Sequence, residues 1–239
     1  TLDATIPLNG TVSFTAVWDR LLTKVELDAV RRLYAKTIGY GVVQRTSFVF
    51  DGDSLTAGHD GVVNQYPLLL QRDASYGSSM QYRNTAVSGR TAQTMATLVR
   101  SNLYPSNVEF DTMARQYYLI NGGTNDGQPA RSEDVVAYLK ECWRVAREAG
   151  YRVVAFTLPD IQMTDSGSWK AAERRQHRAA MSRLIRESAG SYDYLIELDK
   201  IPQLQNQNNA TYYENDLVHY KQPAHDLIAA AIKAKIPNP

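Results

Sequence analysis

The stretch Ser47-Phe48-Val49-Phe50-Asp51-Gly52-Asp53-Ser54-Leu55-Thr56 decides how this chain folds. A short run of bulky apolar residues with no polar alternation reads as a strand buried on both faces. It ends abruptly in Asp-Gly-Asp-Ser, residues that favour a tight turn. The same rhythm recurs downstream. Tyr82 to Val87 is a weaker strand ending at Ser88-Gly89, and Gln116 to Ile120 runs into Asn121-Gly122-Gly123. Arg152 to Leu158 stops at Pro159, and Tyr192 to Leu198 is a fifth candidate. Helical patterns fill the gaps. The clearest spans Ser132 to Ala149, with Val135, Val136, Leu139, Cys142, Trp143 and Ala146 on one face. Ser132 is the expected cap, Glu133 and Asp134 suit the positive end of the helix dipole, and Gly150 closes it. Others are expected over Ser168 to Ser188 and Pro223 to Ala234. Buried strands alternating with amphipathic helices predict an α/β fold, a three-layer α/β/α sandwich around a mostly parallel sheet of about five strands, flavodoxin-like in outline.

Upstream, the first 45 residues read differently. Thr11 to Val17 alternates like a short strand, and Arg20 to Thr37 carries an apolar stripe of Leu22, Val25, Ala29 and Leu33. The expected division is an extension over residues 1–45 and a catalytic-type domain over 46–239. The extension would pack on that domain, pair with another chain or join it to a larger protein.

Composition sets the outer limits. The 239 residues are 44% apolar and 21% charged, which excludes wholesale disorder and fits one large domain or one domain plus an extension. Lys and Arg total 26 against 25 Asp and Glu, a net charge of +1, so nucleic acid held by electrostatics is not expected as a partner. A single cysteine, Cys142, excludes an internal disulfide and a cysteine-built zinc cage. No run of 18 apolar residues exists to span a membrane. The chain opens on Thr1 without a visible signal peptide, as expected of a processed product or a piece of a longer protein.

In parallel α/β sheets, ligands bind at the carboxyl ends of the strands. The residues found there are Asp51 to Thr56, Asn84 with Ser88-Gly89, Gly123-Thr124-Asn125-Asp126, and the late block Asp216-Leu217-Val218-His219. A serine hydroxyl is a poor nucleophile until a base takes its proton. His219 can be that base, because a free imidazole titrates near pH 6.5. Asp216, three residues before it, can accept from the far ring nitrogen and fix the tautomer. Acyl transfer also needs donors for an oxyanion. Gly89 can offer an unshielded N–H, Asn125 a side-chain amide, and Ser54 its own N–H.

These four blocks, in this order, resemble the SGNH or GDSL hydrolase family over roughly Phe48 to Ile232. The resemblance implies a serine esterase working through an acyl-enzyme, with Ser54, Asp216 and His219 as triad and Ser54, Gly89 and Asn125 as oxyanion hole, needing no cofactor and no metal. Departures are Ala86, Tyr220 and Ala224 where other residues are common, and the roughly 50 residues ahead of the serine block. The family's substrates include acetylated sugars, acyl lipids and thioesters.

The loops before Asp216 (Gln203, Gln205, Asn206, Gln207, Asn208, Asn209, Tyr212, Tyr213) and after Ser54 (His59, Asp60, Asn64, Gln65, Tyr66) are polar and aromatic. Amides and tyrosines suit a sugar, so removal of O-acetyl groups from a glycan is the favoured reading, in an extracellular or surface-associated setting. Asp53, His59, Thr124, Tyr212 and Tyr213 are its candidate substrate contacts. Of the other histidines, His177 is expected to face solvent, and His225 to belong to the last helix.

Three alternatives stay open. A lipase or thioesterase of the same family would act on longer acyl groups. Asp51-Gly52-Asp53 after a strand also looks like the first motif of Mg²⁺-dependent haloacid-dehalogenase-type phosphatases, with Asp51 as nucleophile and Asp53 as acid. A non-catalytic glycan-binding module is the third.

Overall fold

The computed structural model describes residues 46–59, 62, 64–76, 81–103, 115–126, 131–159 and 171–236. The strand and helix expected within residues 1–45 lie outside them. Among the described residues, five strands form one sheet: β1 (Thr46–Gly52), β2 (Gln81–Asn84), β3 (Arg115–Asn121), β4 (Arg152–Phe156) and β5 (Tyr194–Ile196). Their order is β2-β1-β3-β4-β5, and every pairing is parallel. The chain steps from β1 to β2 on one side and then crosses back to β3 on the other. That reversal opens a crevice above the carboxyl ends of β1 and β3.

Among the described residues there are six α-helices: α1 (Ser54–Ala57), α2 (Tyr66–Gln71), α3 (Ala92–Leu103), α4 (Ser132–Glu148), α5 (Ala171–Glu187) and α6 (Gln222–Lys235). Alternate side chains of a strand point to opposite faces, so each strand feeds two cores. Phe48, Phe50, Tyr117, Leu119, Val154 and Phe156 pack with Tyr66 and Leu70 of α2 and Ile228 and Ile232 of α6. Val49, Tyr118, Ile120, Val153 and Ala155 pack with Met95 and Val99 of α3, Leu139 and Trp143 of α4 and Met181 of α5. The three-layer sandwich expected from sequence is the one observed. Cys142 is buried in the second core.

Three local expectations are corrected. Ser132 is not the cap of α4. That position falls to Arg131, which makes no side-chain cap. The Ser132 hydroxyl instead meets His177 Nδ1 at 2.7 Å and bonds the His177 carbonyl at 3.3 Å. His177 is therefore half-buried between α4 and α5 rather than solvent-facing, and burial lowers its pKa. The fifth strand is shorter than its apolar run, because Leu198 opens a 3₁₀ turn. Among the described residues, no helix is long and apolar enough to cross a membrane.

Candidate active site

Gly52 is the last residue of β1, at φ +152. A Cβ there would sit 2.5 Å from the Asn121 carbonyl oxygen and 2.5 Å from Thr56 Oγ1, so only glycine lets the chain turn this tightly. Asp53 caps the short helix that follows, its Oδ1 accepting from the Leu55 N–H at 2.9 Å. Ser54 is the first residue of that helix and remains 6% exposed.

His219 arrives from the other end of the chain on a closed loop. Tyr213 and Tyr220 form an antiparallel bridge, with N–H donors from Lys221 to the Tyr212 carbonyl at 2.9 Å and from Glu214 to the His219 carbonyl at 2.8 Å. Both tyrosines are buried, and Tyr213 donates its hydroxyl to the Leu204 carbonyl at 2.6 Å. Inside the loop, Asp216 Oδ1 accepts from the N–H groups of Val218 at 2.9 Å and His219 at 3.0 Å. Leu217 is held at φ +61, the non-glycine exception to negative φ among the described residues. That costs on the order of 1 kcal/mol or more, a strain the surrounding loop must hold in place.

The loop aims His219 at Ser54. Asp216 Oδ2 lies 2.5 Å from His219 Nδ1, and His219 Nε2 lies 2.8 Å from Ser54 Oγ. Ionised, the Asp216 carboxylate can only accept. The proton therefore sits on Nδ1, and Nε2 is left to accept from the serine hydroxyl. Partial burial opposes ionisation of Asp216, but the bonds from the His219 ring and two backbone N–H groups outweigh it and hold the pKa at about 2. The imidazole of His59 stacks on His219, with centroids 3.7 Å apart and planes within 12°.

Gly89 lies on the turn after β2 at φ +79, exposed, with nothing within 4 Å of where a Cβ would stand. The turn is tied to the serine block by the Val87 N–H, which donates to the Gly52 carbonyl at 3.1 Å. Asn125, on the loop after β3, donates one amide hydrogen to the Arg90 carbonyl at 3.1 Å. Blocks from β1, β2 and β3 thus meet at the reversal in strand order.

Several sequence expectations are displaced. Asp53 is fully buried, so it does not touch substrate. Desolvation raises its pKa to about 7, opposed by the Leu55 N–H, Arg178 and Thr124 and reinforced by Asp126. Tyr213 is an anchor of the loop rather than a substrate contact. Tyr212 is half-buried against the core and Thr124 is 6% exposed, as Ser54 is, so neither is displaced by burial alone. The amides of the late loop serve its own turns: Asn206 accepts from the Asn208 N–H at 3.0 Å and Asn209 from the Thr211 N–H at 3.1 Å. His225 does belong to the last helix; it is buried, its Nδ1 accepts from the Tyr66 N–H at 3.3 Å, and burial lowers its pKa to about 4.

Asp51 is no surface nucleophile. It is fully buried, and its carboxylate accepts from the Gly52 N–H (2.9 Å), Arg90 (3.1 Å), Asn102 (2.9 Å) and Tyr118 (2.9 Å). The phosphatase reading needs that carboxylate free to attack. Nothing in the sequence pattern singled out Arg90, Asn102 or Tyr118 as its partners. Among the described residues, the group suited to hold a metal ion is His59, Asp216 and His219, whose ligating atoms lie within 4.8 Å of one another. An ion there would compete with the Asp216–His219 bond.

The family model described as GDSL-like lipase/acylhydrolase matches residues 50–227. Solved structures with the same fold include a psychrotrophic esterase, EstA, from Pseudoalteromonas sp., inhibited by monoethylphosphonate. It is 16% identical, with a TM-score of 0.59, covering 79% of this chain and 95% of its own. A GDSL-like lipase from Bacteroides thetaiotaomicron is 18% identical, with a TM-score of 0.57, covering 87% and 96%. A lipolytic G-D-S-L protein from Veillonella parvula is 17% identical, with a TM-score of 0.59, covering 78% and 95%. A search of curated proteins finds no match.

Proposed function

The chain belongs to the GDSL-like lipase/acylhydrolase family, and from that premise we propose that it is a serine esterase whose triad is Ser54, His219 and Asp216. The carrying observation is the chain of hydrogen bonds from Asp216 through His219 to Ser54. His219 Nε2 takes the proton as Ser54 Oγ attacks the ester carbonyl, and Asp216 stabilises the imidazolium that forms. The oxyanion is met by the N–H of Gly89 and of Ser54 and by the free amide hydrogen of Asn125. His219 then returns its proton to the departing alcohol, leaving an acyl-serine. Water, deprotonated by the same imidazole, hydrolyses that ester and regenerates Ser54.

The substrate read here is a short acyl ester, an O-acetyl group on a polar carrier such as a glycan. Two features favour a small acyl group on a large carrier. The Asp216 side chain is 42% exposed beside His219, and the Gly89 turn faces solvent, so the site lies open at the surface. Among the described residues, the exposed large hydrophobic side chain is Val87, whereas a long acyl chain needs an extended apolar wall.

An ester panel tests this: acetylated oligosaccharides, p-nitrophenyl esters of rising chain length and an acyl thioester. Expected are turnover of acetyl esters, decline with chain length, and labelling of Ser54 by a fluorophosphonate. Ser54→Ala should lose labelling and about 10⁴-fold in kcat while remaining folded. A folded Ser54→Ala protein with a tenth of wild-type turnover would overturn the triad, and a preference for long acyl chains would overturn the substrate.

A further inference from the structure

Arg90 touches both sides of the site without facing the serine. Its guanidinium Nη1 donates to Asp51 Oδ1 at 3.1 Å and to the Thr85 carbonyl at 2.9 Å. Its own carbonyl accepts from Asn125 Nδ2 at 3.1 Å, and its N–H closes the turn on the Val87 carbonyl at 3.2 Å. The peptide that joins it to Gly89 follows the N–H offered to the oxyanion. The Arg90 side chain is 13% exposed and the Asp51 side chain 0%, so the pair is shielded from water and salt. Asp51 is itself fixed by Asn102 of α3 and Tyr118 of β3.

Resting on the triad reading above, we propose that the Asp51–Arg90 ion pair is the positioning device of the oxyanion hole, holding the Gly89 N–H and the Asn125 amide in register from a single residue. An amide group has two hydrogens. The Arg90 carbonyl takes one, which fixes the rotation of the Asn125 side chain and leaves the second to point at the oxyanion. The Gly89 N–H sits one residue upstream on an exposed turn, at φ +79, where nothing stands within 4 Å of a Cβ position. Without an anchor, both donors would have to be ordered in each turnover, and preorganisation is what gives such donors their effect. Asp51 belongs to β1, which carries the nucleophile on its next turn, so the anchor refers both donors to the same rigid strand as Ser54.

The test is a double-mutant cycle on p-nitrophenyl acetate. Arg90→Met should lower kcat about 10- to 100-fold with KM nearly unchanged, because the donors act in the transition state and a misplacement of about 1 Å costs on that order. Arg90→Lys keeps a cation opposite Asp51 and should recover most of the loss. Asn125→Ala alone should cost about 10²–10³-fold. Combined with Asn125→Ala, Arg90→Met should cost less than it does alone, because only the Gly89 N–H is then left for it to position. A purely structural Arg90 would give additive losses, or a change in KM, and would overturn the proposal.

Arg90→Met leaves Asp51 buried and unpaired, which threatens folding. Asp51→Asn/Arg90→Met removes both charges, so the cycle is run on that pair if the single variant does not fold. If Asn125→Ala leaves kcat intact, the oxyanion assignment of the proposed mechanism fails, and this proposal with it. If Asn125→Ala is impaired but the losses add, only the role of the ion pair fails.

Discussion

Asp53→Asn should make the protein more stable at alkaline pH, although it alters the residue beside the nucleophile. The Asp53 carboxyl is fully buried, and desolvation lifts its pKa from an ordinary 3.8 to about 7. A group with a folded pKa above its unfolded one binds its proton more tightly in the folded state. Stability from that proton is intact below about pH 4 and is lost as pH rises through about 7. The interval corresponds to about 4 kcal/mol at roughly 1.36 kcal/mol per pKa unit. Asparagine has the same shape, can still accept from the Leu55 N–H, and does not titrate. Urea denaturation of both proteins at pH 4 and pH 8 isolates the effect. Subtracting the two differences removes any fixed cost of the amide and the shared contributions of Asp51 and Asp126, whose pKa values burial also raises. The variant should gain on the wild type by about 2–4 kcal/mol between pH 4 and pH 8, the lower bound allowing for the lost attraction to Arg178. Parallel pH dependence, within about 1 kcal/mol, would refute the claim that burial lifts the Asp53 pKa well above that of an ordinary carboxylate.

Three further outcomes follow from the loop that carries His219. Asp216 is held at about pKa 2 and stays charged from pH 4 to 8, so its own protonation should not contribute to the acid limb of kcat/KM in that range. Asp216→Asn should cut kcat on the order of 10³-fold by favouring the wrong tautomer, and a folded variant keeping a tenth of wild-type turnover would contradict the assignment. Tyr213→Phe removes the buried bond to the Leu204 carbonyl and should lower stability by about 1–2 kcal/mol in urea, with KM for acetyl esters unchanged. Unchanged stability with a raised KM would make Tyr213 a substrate contact after all.

The sequence by itself determined the architecture and which polar residues gather at the ends of its strands. Buried strands ending in turn residues place functional groups at the carboxyl edge of a parallel sheet, because such strands need helices on both faces and leave only their ends open. The spacing of Asp216 and His219 likewise carries its own geometry, since three residues span the distance from a carboxylate to a ring nitrogen within one loop. What sequence left open was which way side chains turn and what lies against them. Asp51 and Ser54 were rival nucleophiles on paper. The alternation of β1 sends Asp51 toward α3 and α4, where Arg90, Asn102 and Tyr118 consume its carboxylate, while the turn after Gly52 brings Ser54 within reach of His219. Tyr213, Asp53 and His177 all look like surface chemistry in sequence, yet Tyr213 and Asp53 are buried in the structure and His177 is half-buried. Their partners, the Leu204 carbonyl, the Leu55 N–H and Ser132, belong to other turns or helices, or are backbone groups with no sequence signature. Hydrogen bonds of that kind are decided by packing, and packing brings together residues 165 apart in the chain, as it does Ser54 and His219.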